Sequence, residues 1–200
     1  MGDWLMYIGN QPFGKRFNLW TEAQYRNYNL VGDLEQLLLR TGVGMNLTEN
    51  NNNLLLGYAF VHTEPYIDGT DRKRSFDEHR IFQQLVTRQG FGRLLLQHRY
   101  RLEQRFFRGD FRVRFRYALG VNLLLNAPKM DKGTCYLAAS NEIFIHGDKP
   151  VYDRDRVYAG IGYVLRKDLR MEVGVMSQIL ESRTRPQLQI GLFNGISLRK

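Results

Sequence analysis

Between residues 111 and 117 the chain reads Phe-Arg-Val-Arg-Phe-Arg-Tyr, an unbroken alternation of apolar and cationic side chains. Successive side chains of a β-strand point to opposite faces. Arg112, Arg114 and Arg116 therefore share one face, and Phe111, Val113, Phe115 and Tyr117 share the other. The preceding segment repeats the pattern, with Leu94, Leu96, His98, Tyr100, Leu102 and Phe106 against Arg99, Arg101, Glu103 and Arg105. Arg108-Gly109-Asp110 between them reads as a tight turn. The result is a long antiparallel hairpin that sets seven arginines within residues 98–117 back to back with a row of aromatics.

The same period of two recurs along the chain. Phe17, Leu19, Thr21, Ala23 and Tyr25 oppose Asn18, Trp20, Glu22, Gln24 and Arg26. Leu37, Leu39, Thr41, Val43 and Met45 oppose Leu38, Arg40, Gly42 and Gly44; Leu54, Leu56, Tyr58 and Phe60 oppose Leu55, Gly57, Ala59 and Val61. Ile81 and Leu85 oppose Glu78, Arg80 and Gln84; Leu137, Ala139, Ile143 and Ile145 oppose Tyr136, Ser140 and Glu142. Val157, Ala159, Ile161, Tyr163 and Leu165 oppose Arg156, Gly160 and Gly162; Leu169, Met171, Val173 and Val175 oppose Arg170, Glu172 and Gln178; Leu188, Ile190 and Leu192 oppose Gln187, Gln189 and Gly191. These stretches predict about ten strands, most far longer than the roughly 5–6 residues usual in soluble proteins. The polar run Asn50–Asn53 reads as a turn. Residues 4–10 are also strand-like, and 1–15 are treated as an N-terminal segment: an extra edge strand or part of a longer barrel, with twelve strands as the alternative count. Residues 1–200 are expected to form a single all-β domain, a closed antiparallel up-and-down barrel.

Composition narrows the classes. A single cysteine, Cys135, excludes an intramolecular disulfide framework and a cysteine-based zinc site. No apolar run is long enough for a transmembrane helix. Met1-Gly2-Asp3-Trp4 has neither the basic start nor the apolar core of a signal peptide, which fits a cytosolic protein or the mature form of an exported one. The net charge of +9 allows a polyanionic partner.

Which face is inside decides the class of barrel. A soluble barrel would bury the apolar face and show the arginines to water. The polar face is unusual for that arrangement, because it carries Gly42, Gly44, Gly57, Gly160, Gly162, Gly174 and Gly191 and lacks lysine, which sits in turns and termini. Small residues mixed with Arg and Glu suit an enclosed, tight interior. The opposite face is wide, continuous and aromatic, the inverted order of a membrane barrel, whose closure leaves no edge exposed to hydrocarbon. The expected interior network is Glu22, Arg26, Arg40, Glu78, Arg80, Gln84, Arg99, Arg101, Glu103, Arg105, Arg112, Arg114, Arg116, Glu142, Arg156, Arg170 and Glu172, with Gln24 and Gln178 as bridges.

Several stretches resemble a family. Residues 98–106, His-Arg-Tyr-Arg-Leu-Glu-Gln-Arg-Phe, are similar to the signature of an outer-membrane β-barrel family of Bacteroidetes-type bacteria, domain of unknown function 2490. So are residues 20–26 (Trp-Thr-Glu-Ala-Gln-Tyr-Arg), Glu78-His79-Arg80 with Gln83-Gln84, Asn141-Glu142-Ile143-Phe144, and Asp155-Arg156 before residues 160–163. The resemblance covers most of the chain and implies an exported barrel of the Gram-negative outer membrane. It implies no activity.

Buried ion pairs that fill a narrow barrel and fix its register are the structural account of the arginines. A small anion-selective, porin-like path or a carboxylate or phosphate site is the functional one. A soluble barrel holding an apolar ligand is a further rival. Ser140, Glu142 and His146 lie close in sequence, but Glu142 shares its face with arginines, and nothing brings His98 to Ser177, so catalysis is not expected. No spacing calls for a metal or cofactor. Nucleic acid is not expected as a partner, since cations and aromatics lie on opposite faces. With an even strand number both chain ends fall on the periplasmic side, and the loops around residues 27–33, 65–75, 108–110, 146–155 and 181–185 face outward. The expected partners are outer-membrane lipid, including lipopolysaccharide phosphates, and other outer-membrane proteins.

Overall fold

Alternating sequence becomes extended chain throughout. The computed structural model describes residues 2–30, 32–48 and 52–198. Its strands are β1 (Gly2–Phe13), β2 (Phe17–Asn27), β3 (Leu34–Thr48), β4 (Asn52–Thr63), β5 (Phe76–Phe91), β6 (Leu94–Phe107), β7 (Asp110–Leu124), β8 (Cys135–His146), β9 (Tyr152–Arg166), β10 (Leu169–Ile179) and β11 (Thr184–Asn194). Each strand pairs antiparallel with the next in sequence. β1 and β11 pair in parallel, from Gly2 opposite Gln187 to Gly9 opposite Asn194, and close the sheet into a barrel.

The barrel therefore has eleven strands among the described residues, not about ten or twelve, and one of its pairings is parallel. The added strand is the N-terminal segment. Its alternation is weak because Trp4, Met6 and Ile8, which line the interior, are as apolar as Leu5 and Tyr7 on the other face. An odd count also separates the strand ends. β1 begins at the rim where β11 begins, and β11 ends at the opposite rim, so the expectation that both ends share one side does not hold.

One rim, called here the loop rim, carries the connections between β2 and β3, β4 and β5, β6 and β7, β8 and β9, and β10 and β11. The other, the turn rim, carries the remaining ones, including residues 125–134 between β7 and β8. The expected turn at 108–110 is the two-residue link between β6 and β7, where Gly109 takes a φ of 81°, a conformation that costs glycine least. Of the expected Asn50–Asn53 turn, Asn50 and Asn51 lie outside the described residues, as does Val31 of the β2–β3 loop; Asn52 and Asn53 belong to β4.

Burial follows the alternation. On β4, Leu55, Ala59 and Val61 are at most 2% exposed, whereas Leu54 and Leu56 are 48% and 60% exposed. Several interior positions hold aromatics that the division of aromatics from arginines did not anticipate: Trp4, Phe82, Phe144 and Tyr158 are all buried, as is Tyr136, which the alternation does set on the polar face. Glycines make room for them. A Cβ on Gly162 would lie 2.0 Å from the Tyr136 ring, and one on Gly57 would lie 2.4 Å from the Phe82 ring. Gly57, Gly160, Gly162 and Gly174 are thus floors beneath aromatic side chains, while Gly42 and Gly44 make room for Leu55 and Asn18.

Candidate functional site: a buried arginine and glutamate array

The strand register decides which charges meet. Glu22 stands opposite Arg40, Glu103 opposite Arg114, and Glu142 opposite Arg156. Elsewhere arginines face each other, Arg80 with Arg105 and Arg101 with Arg116 in the interior, and Arg105 with Arg112 toward the tip. Directly opposed like charges destabilise a sheet, so each such pair needs an acceptor. Glu78 supplies it for the first: its carboxylate accepts from Arg80 Nε and Nη2 at 2.6 and 2.7 Å and from Arg105 Nε and Nη2 at 2.5 and 3.1 Å. In the second pair, Arg101 donates to Gln84 at 2.9 Å. Arg116 donates to Glu103 at 2.7 Å and to Glu142 at 2.7 and 3.0 Å.

Glu103 is the hub. It is fully buried and accepts from Arg114 at 2.6 and 3.0 Å as well as from Arg116. Arg101, Arg80 and Arg40 stand 3.7, 3.8 and 3.9 Å from its oxygens. Arg40 also binds Glu22 at 2.9 Å, and Arg99 reaches Glu142 at 2.8 Å. Charge-assisted bonds of this kind are strong, and the low dielectric inside raises both their strength and the cost of leaving any one unmade.

Aromatic faces support the guanidinium groups from the side. Arg101 lies 4.7 Å from the Phe82 centroid, and Arg114, Arg116 and Arg156 lie 5.2, 4.4 and 4.5 Å from Phe144. Trp4 carries Arg26 at 3.8 Å and Arg156 at 4.8 Å. These are cation–π distances. Sequence parity does place Phe82 beside Arg80 and Gln84, and Phe144 beside Glu142; that was the overlooked signal. Asp153 was hidden by a register shift between β8 and β9, and its carboxylate accepts from Arg114 at 3.0 Å.

The expected residues do not all join this array. Arg26 bonds to Gln24 and Gln36, and Arg156 bonds to Gln178 at 3.0 and 3.1 Å. Arg170 and Glu172 form a separate group nearer the turn rim, 3.6 Å apart, with Tyr136 donating to Glu172 at 2.8 Å. Arg112 is exposed at the β6–β7 tip, bound to Asp110 at 2.8 Å, and does not belong to the interior network. The tip lies beyond the last enclosed row, which parity alone cannot register.

At the loop rim the connection between β4 and β5 folds over the one between β2 and β3. Lys73 binds Asp33 and stands 3.7 Å from Glu64, and Tyr66 donates to Asp33 at 2.8 Å. The Lys73 hydrogen bond holds the Asp33 carboxyl below its ordinary pKa. Arg185 of β11 clasps Glu35 of β3 through two bonds of 2.8 and 3.0 Å.

Toward the turn rim the interior opens. An inner cavity of about 240 Å³ is lined by Trp4, Arg26, Arg99, Arg156, Tyr158 and Arg170 among others. An outer one of about 600 Å³ lies against the turn rim. The two share Ile8, Gln97, Arg99, Asn122, Arg170 and Phe193 and so form one recess. Glu78, Arg80, Glu103, Arg105, Arg114 and Asp153, on the loop-rim side, line neither.

No catalytic set assembles from the serines and histidines considered. Ser140 and His146 lie on one strand, about 20 Å apart at strand spacing, with Glu142 engaged between them by arginines. His98 pairs with Tyr117 at 2.9 Å on β6 and β7, and Ser177 is on β10. Among the described residues no group of three His, Cys, Asp or Glu side chains is placed to hold a metal.

No curated protein and no solved structure matches the chain. The family model described as "Protein of unknown function (DUF2490)" matches residues 1–189, from β1 into β11. With nearly the whole barrel covered, and with the stretches that resembled this family falling on β2, β5, β6, β8 and β9, the chain belongs to the DUF2490 family.

Proposed function

We propose that this chain is a bacterial outer-membrane barrel whose strands face lipid and whose interior is held by an Arg/Glu/Gln network, serving as a structural or accessory barrel rather than a pore. The observation that carries this reading is the outer surface. Mid-strand side chains there are large, apolar and exposed, such as Val43 (52%), Leu56 (60%), Ile161 (62%) and Val173 (46%). Such a continuous band has no reason to face water and matches the lipid-facing band of membrane barrels.

Several polar side chains on that surface support the same reading, because they bond to one another across neighbouring strands. His98 pairs with Tyr117 at 2.9 Å, Gln104 donates to Gln83 at 3.0 Å, and Asn141 donates to Asp155 at 2.8 Å. In hydrocarbon an unpaired polar group costs several kcal/mol; in water no such pairing is needed. On this reading the loop rim faces outward, following the usual placement of longer loops.

The packed half around Glu78 and Glu103 argues against conduction. Barrels with few strands are filled by side chains, and open channels need about 16 strands. Reconstituted in a planar bilayer, the protein is expected to give no unitary current in chloride salts. Regular, anion-selective steps would overturn the plugged interior and favour the small-pore reading.

A further inference from the structure

The recess behind the turn rim is built asymmetrically in charge. The inner cavity is lined by six arginines and three glutamates. Most of these arginines meet a carboxylate, but two do not meet one closely. Among the described residues, the hydrogen bonds of Arg26 go to Gln24 and Gln36, both neutral. Arg156 bonds to neutral Gln178, and its carboxylate contact is Glu142 at 4.0 Å. Both guanidinium groups lie on the Trp4 ring, at 3.8 and 4.8 Å from its centroid, so two poorly neutralised charges share one aromatic support. Bringing like charges together in a buried site is costly unless an anion joins them.

A second, independent observation points the same way. The Trp4 and Tyr158 side chains line this cavity and are more than nine-tenths buried, and among the described residues the Trp4 indole nitrogen and the Tyr158 hydroxyl, the latter lying against Gly160, find no hydrogen-bond partner. Indole nitrogen is a donor only. Buried polar groups are nearly always paired, so a donor left over beside two spare guanidinium groups asks for an acceptor with negative charge. The outer cavity has a different character. Its wall includes Val86, Leu95, Met130, Val164, Leu169 and Phe193, which offer an apolar path from the turn rim inward. Arg88, Lys167 and Arg170 outnumber Asp168 and keep the same mouth cationic.

We propose that this recess is a binding site for a small amphipathic anion, a carboxylate or phosphate ester on a short alkyl tail. The anionic head sits between Arg26 and Arg156 beside the Trp4 indole, and the tail lies along the apolar wall toward the turn rim. The site gives the polar interior of the preceding reading a ligand, and it does not depend on the solvent that surrounds the barrel.

Titration calorimetry of the full chain, folded in a non-ionic detergent, tests this with hexanoate, hexyl phosphate and hexanol. One or both anions are expected to bind once per barrel, with hexanol at least tenfold weaker. Which anion binds tells whether a free carboxylate or a phosphate head is preferred. Arg26→Gln and Arg156→Gln should each lower that affinity at least tenfold, and Arg108→Gln at the far tip should leave it unchanged. Should either interior variant fail to fold, Trp4→Phe takes its place: it keeps the ring under the arginines and removes the indole donor, and it too should weaken binding. Absence of binding to the parent chain, equal binding of hexanol, or full affinity in the variants would overturn the proposal. A chain that proves soluble without detergent would end the membrane reading while leaving this titration able to decide the site on its own.

Discussion

Replacing Glu103 by glutamine is expected to destabilise the folded barrel by about 3–5 kcal/mol, the usual cost of breaking a buried ion pair on one side. Glu103 is fully buried and accepts from Arg114 and Arg116, with Arg40, Arg80 and Arg101 within 3.9 Å. Glutamine keeps the shape but not the charge, so five guanidinium groups lose the anion at their centre. The site cannot shed the problem by deprotonation, since arginine stays charged in proteins. Denaturant unfolding in detergent, followed by tryptophan fluorescence, measures the loss. Arg112→Gln, at the exposed β6–β7 tip, serves as the contrast and should change stability by no more than about 0.5 kcal/mol. A Glu103→Gln barrel as stable as its parent would show that the interior array is not what holds the strands in place.

Ile161→Arg tests the outer face. Ile161 is 62% exposed on β9, between Leu137 of β8 and Val173 of β10. Against water, such a change at an exposed position is worth within about 0.5 kcal/mol. Against the middle of a bilayer it costs about 2–4 kcal/mol. Folding titrations into lipid vesicles should therefore show a loss in the larger range. A variant that folds into vesicles as readily as the parent would place Ile161 outside the hydrocarbon.

How much of this was legible beforehand depends on what each strand puts inside. On β6 and β7 the interior positions are mostly charged and the exterior ones apolar, so the faces of residues 98–117 can be read side chain by side chain. β3 and β4 are harder, because Leu38, Leu55 and Val61 are interior and apolar; glycine and Arg40 still mark the inner face. On β1 both faces are apolar and the alternation vanishes, so the sequence does not distinguish the strand that makes the count odd from an extra edge segment. The parallel pairing of β1 with β11 follows from that count and from no local signal.

The site was more legible in its charges than in its supports. Parity put Glu78, Arg80, Arg101, Glu103, Arg114 and Arg116 on one face, and their side chains meet. It could not say which arginine would take a carboxylate and which a glutamine, because that depends on strand stagger. Trp4 gives no parity signal, since β1 is apolar on both faces, whereas the parity of Phe82 and Phe144 does set them on the charged face, where they carry guanidinium groups. Asp153 turns inward only through the register shift between β8 and β9, which no period of two contains.

The most direct measurement is the gel mobility of the detergent-folded protein, boiled and unboiled, run beside its solubility in plain buffer. A closed lipid-facing barrel should resist sodium dodecyl sulfate until heated, migrate differently before and after boiling, and precipitate once detergent is removed. A monomer that stays soluble without detergent and shows no heat-dependent shift would contradict the account, because the exposed apolar band would then have to face water.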